Sequence, residues 1–83
     1  MLFRSGRNRI IASATGRFGR VHDTGDCLNL RSAPTTDSRI IGCVFDNTLL
    51  EIHDDTAPYA GWRYVYSAQF DSSGYVNSAY LEE

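Results

Sequence analysis

From Phe18 to Leu81 the apolar residues come only in short, strand-length runs, and each run stops at turn-forming residues. That pattern limits the fold more than any other feature of this chain. In Leu28-Asn29-Leu30-Arg31 the alternation is strict, with Leu28 and Leu30 on one face and Asn29 and Arg31 on the other, the period of a half-buried strand. Ala33-Pro34 ends it in an extended turn, and Thr35, Thr36, Asp37 and Ser38 are turn formers. A strand is expected near Phe18 to His22, then a turn at Asp23–Asp26 in which Gly25 can take positive φ. Ile40–Phe45 and Thr48–His53 read as a hairpin about Asp46-Asn47, with Asn47 left-handed and Gly42 marking a bulge or sharp bend. Trp62–Ser67 and Gly74–Asn77 complete the strands, and Ser78–Leu81 reads as one 3₁₀ turn. With no sustained helical period and no repeat, the expectation is an all-β small barrel.

The chain has 83 residues, enough for one domain with a thin core. A deep enzyme pocket is disfavoured and a surface-binding role favoured. All eight basic residues are arginine, and five of them (Arg4, Arg7, Arg9, Arg17, Arg20) precede the first acid. Residues 21–83 hold three arginines against ten acids, a net charge of −7. The chain therefore divides into a basic arm, residues 1–16, expected to be flexible, and an acidic domain, residues 17–83. Asp23, Asp26, Asp54, Asp55 and Asp71 fall in expected loops, where they would repel nucleic acid. No apolar run approaches the ~20 residues of a transmembrane helix. Residues 2–15 lack the apolar stretch of a signal peptide. The chain is then either cytoplasmic or part of a larger exported parent, and the second is favoured.

Local signals for chemistry are sparse. His22, His53, Cys27 and Cys43 could be combined into a Cys–His dyad, but no Gly-flanked nucleophile or orienting third group accompanies them. The same four could bind zinc by count, yet the cysteines are sixteen apart rather than a close pair. Calcium would want an Asp-x-Asp-x-Asp-Gly loop, which is missing. The expectation is no enzyme, no metal and no cofactor, with both imidazoles facing solvent.

Taken in order, CLNLRSAP (Cys27–Pro34), IIGCVFDNTLLEI (Ile40–Ile52), GWRYV (Gly61–Val65) and GYVNSAYL (Gly74–Leu81) resemble the bacterial SH3 domain, a small β-barrel module of cell-wall and envelope proteins. The resemblance runs from about Gly19 to Leu81. It implies an SH3-like barrel acting as a non-catalytic binding or targeting module, with the peptide portion of cell-wall peptidoglycan as ligand and a secreted or envelope location. The alternative is a protein–protein interaction or assembly module.

The resemblance also bears on single residues. Some exported members of the family carry a cysteine at the places of Cys27 and Cys43. A bond there would close a loop of about fifteen residues and add ~3 kcal/mol; the other reading is two buried free thiols. Asn29 and Arg31 would steady the irregular loop beside the binding groove, Arg31 by forking onto carbonyls or a carboxylate. Trp62, Tyr64 and Tyr66 share one strand face and Val65 takes the other. Trp62, Tyr59 and Tyr64, near the loop holding Arg31 and Pro34, are the candidate ligand-binding set. Tyr75 and Tyr80 are expected to complete the core.

Overall fold

The structure, a computed structural model, describes residues 15–54 and 58–83. The flexible arm expected before residue 15, and Asp55, lie outside the described residues. Seven strands follow in order: β1 Phe18–Val21, β2 Cys27–Arg31, β3 Ile40–Phe45, β4 Leu49–Ile52, β5 Trp62–Ser67, β6 Ser72–Asn77 and β7 Leu81–Glu82. A single 3₁₀ turn, Ser78–Tyr80, separates β6 from β7. All pairings are antiparallel, in one sheet of order β3-β2-β6-β5-β4-β1-β7.

The sheet is rolled. Val21 of β1, Leu28 and Leu30 of β2, Val44 of β3, Leu50 and Ile52 of β4, Val65 of β5 and Val76 of β6 form one buried cluster. A flat sheet could not bring β1 and β3 side chains together across four intervening strands, so its inner face must close around them. The alternation read in Leu28–Arg31 is realised directly, with the leucines inside and Asn29 and Arg31 outside. The buried cluster is aliphatic, with Ile41, Phe70 and Leu81 packed against it. Tyr75 and Tyr80 are not in it, contrary to expectation: Tyr75 is half-buried on the outer face and Tyr80 is 38% exposed.

A second expectation is corrected in the pairing. β3 and β4 do not form a hairpin. β3 pairs with β2, and β4 pairs with β1 and β5. The chain does turn at Asp46-Asn47, with Asn47 at φ 75°, but the end of β1 takes hold of that turn. Asn47 N donates to Val21 O at 2.6 Å, and Val21 N donates to Thr48 O at 3.0 Å. The strand leaving the turn is thereby drawn to β1. Gly25 has the expected positive φ, at 79°.

Two glycines permit close approaches that a side chain would block. At Gly42 the ring of Phe70 occupies the place a Cβ would take, beside the register shift between Leu30 and Arg31 where β3 bulges. At Gly74 a Cβ would stand 2.6 Å from the carbonyl oxygen of Arg31. Gly74 is buried and neighbours Tyr75, whose pairing with Arg31 is the bridge between β6 and β2. Cys27 and Cys43 are joined by a disulfide, Cα atoms 5.5 Å apart, which cross-links β2 to β3. At the other end Thr15 and Gly16, the last residues of the expected arm, are tied to β4. Thr15 N and Gly16 N donate to Glu51 Oε2 at 2.7 and 3.4 Å, and Thr15 Oγ1 donates to Ile52 O at 2.7 Å.

Gly74→Ala should destabilise the domain by about 1–3 kcal/mol, the usual cost of overpacking a fixed contact, read as a lower urea midpoint with an unchanged slope. Removing the disulfide in a Cys27→Ser, Cys43→Ser double variant should cost ~3 kcal/mol in the same measurement, and adding reductant should lower the stability of the parent but not of that variant.

Candidate functional site

Side-chain alternation on three adjacent strands builds the outer surface. Leu28 and Leu30 point inward, so Asn29 and Arg31 of β2 point out. On β5, Val65 and Ser67 are buried and Trp62 and Tyr64 take the outer face. On β6, Gly74 and Val76 are buried and Tyr75 and Asn77 are outside. Register then sets the neighbours: Arg31 lies opposite Tyr75, Tyr75 opposite Tyr64, and Trp62 opposite Asn77. One row runs Arg31, Tyr75, Tyr64; the next holds Trp62 and Asn77.

A depression of about 220 Å³ is lined by Asn29, Arg31, Thr36, Trp62, Asn77 and Tyr80, among others, and Cys27 of the disulfide also contributes. Local hydrogen bonds hold its walls. Arg31 Nη1 donates to Thr36 O and to Ser38 O, both at 2.9 Å. Ser38 Oγ reaches Ala33 O at 2.9 Å and Thr35 O at 2.7 Å. The loop after β2 is thus folded around the guanidinium, the carbonyl fork expected of Arg31. On the far side Asn77 caps the 3₁₀ turn, its Oδ1 accepting from Ala79 N at 2.9 Å, as an N-cap amide does. Ser78 N donates to Gly61 O at 2.9 Å, which sets Tyr80 beside the start of β5 and hence beside Trp62.

Several polar groups in the lining have no partner among the described residues: the Asn29 amide, the Trp62 indole N–H, the Tyr80 hydroxyl, and Nε and Nη2 of Arg31. Next to the depression is a tyrosine cluster. The Tyr64 and Tyr75 rings are 4.9 Å apart and tilted, and Tyr59 meets Tyr75 edge-on at 5.8 Å. Burial raises the Tyr75 phenol pKa above its ordinary value, and the neighbouring Tyr59, Tyr64 and Asp54 raise it further.

The residues singled out from the sequence therefore divide. Trp62 and Arg31 share the depression. Tyr59 and Tyr64 belong to the adjoining tyrosine cluster. Pro34 does not line the depression; Thr36 represents its loop there. Asn77 and Tyr80 were missed. A capping Asn ahead of Ser-Ala-Tyr was the available signal, because a capped turn at a strand end lifts the following side chains off the core.

Charged and titratable groups also depart from expectation. Asp54 is not a solvated loop acid but 92% buried, with 8% exposed. Arg63 forks onto it, Nε to Oδ1 at 2.9 Å and Nη2 to Oδ1 at 2.7 Å, and Tyr64 N donates to Oδ2 at 2.8 Å. Arg63 Nη1 also donates to Glu83 Oε2 at 2.7 Å. Burial would raise the Asp54 pKa, but the Arg63 fork, the Tyr64 amide and the charges of Arg63 and Arg17 outweigh it and hold it below its ordinary 3.8. His53 is not solvent-facing either. It stacks on Tyr66, centroids 6.1 Å apart, and its Nε2 is 3.0 Å from Glu51 Oε1. That nitrogen is buried, and its angle to the carboxylate is not that of a hydrogen bond. For Glu51, burial acts upward, while His53 and the Thr15 and Gly16 amides prevail and hold it below 4.5. No cluster of three or more potential metal ligands occurs among the described residues, and no helix there is long and apolar enough to cross a membrane.

A rolled antiparallel sheet with a 3₁₀ turn before its last strand, carrying a ring-lined surface depression, defines a small β-barrel binding module. The bacterial SH3 domain pattern matches residues 26–82, more than half of the chain, and the chain belongs to that family, whose members are binding modules often associated with the cell wall. No curated protein matches the chain. β1 precedes the matched segment, yet it pairs with β4 and β7 and supplies Val21 to the core.

The pH dependence of stability follows from the two carboxyls. Both have folded pKa values below their ordinary ones, so the unfolded chain takes up protons first as the solution is acidified. Their stabilisation is complete above 4.5 for Glu51 and 3.8 for Asp54, and is lost as pH falls through the lower folded values. Asp54→Asn should be less stable than the parent near neutral pH. The gap should close in acid, as urea midpoints taken from about pH 7 to about pH 2.5 would register.

Proposed function

We propose that this chain is a non-catalytic targeting module of an exported or envelope protein, and that it binds the peptide portion of cell-wall peptidoglycan in the depression between β2, β5, β6 and the 3₁₀ turn. The observation that carries the reading is the convergence there of an indole ring, a tyrosine and several polar groups that have no partner within the described protein. A side-chain amide, an indole N–H and a phenol beside flat apolar area are what an extended peptide needs: hydrogen bonds for its backbone and rigid surface for its side chains. The depression is smaller than the ~300–1,000 Å³ of small-molecule pockets, which suits a segment of a polymer. The Cys27–Cys43 bond supports an oxidising compartment.

A second reading is favoured by a different observation. β3 is a sheet edge and carries exposed Ile40 and Phe45. Such an edge can add a strand from another protein, which would make the domain an assembly module.

Trp62 decides between them. It stands on the outer face and contributes nothing to the aliphatic core, so Trp62→Ala should keep the parent's circular dichroism and most of its stability. Its retention on purified cell walls in a pelleting assay should fall by roughly tenfold or more, the loss expected for a central aromatic anchor. Wall binding equal to the parent's would move the site elsewhere. A parent that pellets with no wall preparation would leave the β3 edge as the better reading.

A further inference from the structure

We infer that Arg31 anchors a carboxylate of the ligand, so that the depression selects a peptide segment bearing a free acid. The inference rests on the wall-peptide reading above and adds the chemistry of the group recognised.

The arginines of the domain are used in two ways. Arg17, Arg20 and Arg63 each have an acidic partner: Arg17 has Glu83 at 3.9 Å, Arg20 has Glu82, and Arg63 has Asp54 at 2.7 Å. Like the exposed Arg39, Arg31 has none among the described residues, although residues 21–83 hold ten acids. Its guanidinium is nevertheless held in place. Both of its bonds leave from one nitrogen, Nη1, to Thr36 O and Ser38 O. The opposite edge, Nε and Nη2, has no partner within the described protein. Two parallel N–H groups on one edge match the two oxygens of a carboxylate, and a guanidinium already clamped by its other nitrogen loses little freedom on forming that fork.

The surroundings agree. The residues lining the depression include Arg31 and no acid. Within residues 21–83, of net charge −7, it is a place with a cation and no carboxylate in the lining to neutralise it. Trp62 supplies apolar area next to the charge, and the Asn29 amide can bond the backbone adjoining the acid. A phosphate-rich polymer would also carry negative charge, but it gathers affinity from several cations along its length, and the lining offers one.

The test leaves the protein intact and changes the ligand. Soluble muropeptides released from purified peptidoglycan are titrated into the parent domain with Trp62 fluorescence or calorimetry as readout, alongside the same muropeptides with their carboxyls converted to primary amides. Amidation should weaken binding by roughly tenfold or more, as loss of a charge-assisted pair would. General electrostatics predicts the reverse, because removing negative charge from a ligand relieves repulsion by an acidic domain. Arg31→Gln should bind the native muropeptides as weakly as the parent binds the amidated ones, and should no longer distinguish the two. Equal binding of native and amidated muropeptides by the parent overturns the role of Arg31 and leaves the wall-peptide reading standing. Binding of neither form overturns both. Displacement of bound muropeptide by a poly(glycerol phosphate) chain, with no effect of amidation, assigns the site to phosphate and overturns the carboxylate.

Discussion

The approach of Gly74 to the carbonyl of Arg31 is the constraint on which the rest of this structure depends. β2 and β3 form one ribbon, stapled by Cys27–Cys43. β4, β5 and β6, with β1 and β7, form the other part of the sheet. The two are joined in the ladder by a single bridge, Arg31 to Tyr75. Only a residue without a side chain at 74 lets the backbones come that close. The depression lies over this seam, taking Asn29 and Arg31 from one side and Trp62, Asn77 and Tyr80 from the other. Core closure and site geometry are therefore consequences of one contact.

The polar interactions are arranged around the seam rather than across it. Asp54 and Arg63 form a buried pair that would be costly to break and is of limited net worth as a pair. It fixes the segment after β4 against the start of β5 and ties in the chain end through Glu83. On the opposite flank Glu51 receives the Thr15 and Gly16 amides, so the entry into β1 is fastened to β4 as well. An acidic domain with few cations thus spends most of them on its framework. Arg31, used on loop carbonyls, and the exposed Arg39 are the two without an acidic partner among the described residues.

Much of the architecture was legible in the sequence because strand alternation has a direct physical cause. Leu28 and Leu30 in Leu-Asn-Leu-Arg, and Val65 between Tyr64 and Tyr66, can face inward only if their neighbours face out. Pairing was harder. Asp46-Asn47 has the chemistry of a tight turn, and that chemistry says that the chain bends, not which strand receives it; Val21 of β1, distant in sequence, decided that. The tyrosines were misjudged because Gly74 and Val76 take the inner face of β6, which sends Tyr75 outward, and because Tyr80 sits in the 3₁₀ turn rather than on a strand. In the site, Trp62 and Arg31 could be singled out from local pattern and family resemblance. Their meeting with Asn77 and Tyr80 depends on β6 crossing to β2, a long-range event that leaves no local mark. The same holds for Asp54, which looks like a loop acid until Arg63 is folded onto it.

The disulfide has a consequence beyond stability. Cys27 is both one end of the cross-link and part of the lining of the depression, and the neighbouring loop is wound onto Arg31. One wall of the site has therefore surrendered its conformational freedom during folding, before any ligand arrives. The opposite wall stands on the paired strands β5 and β6 through Trp62 and Asn77, and on a 3₁₀ turn whose Ser78 N is bonded to Gly61 O. A ligand entering such a cleft meets a wall that covalent and hydrogen-bonded cross-links have already set, and little of the entropy cost of ordering falls there.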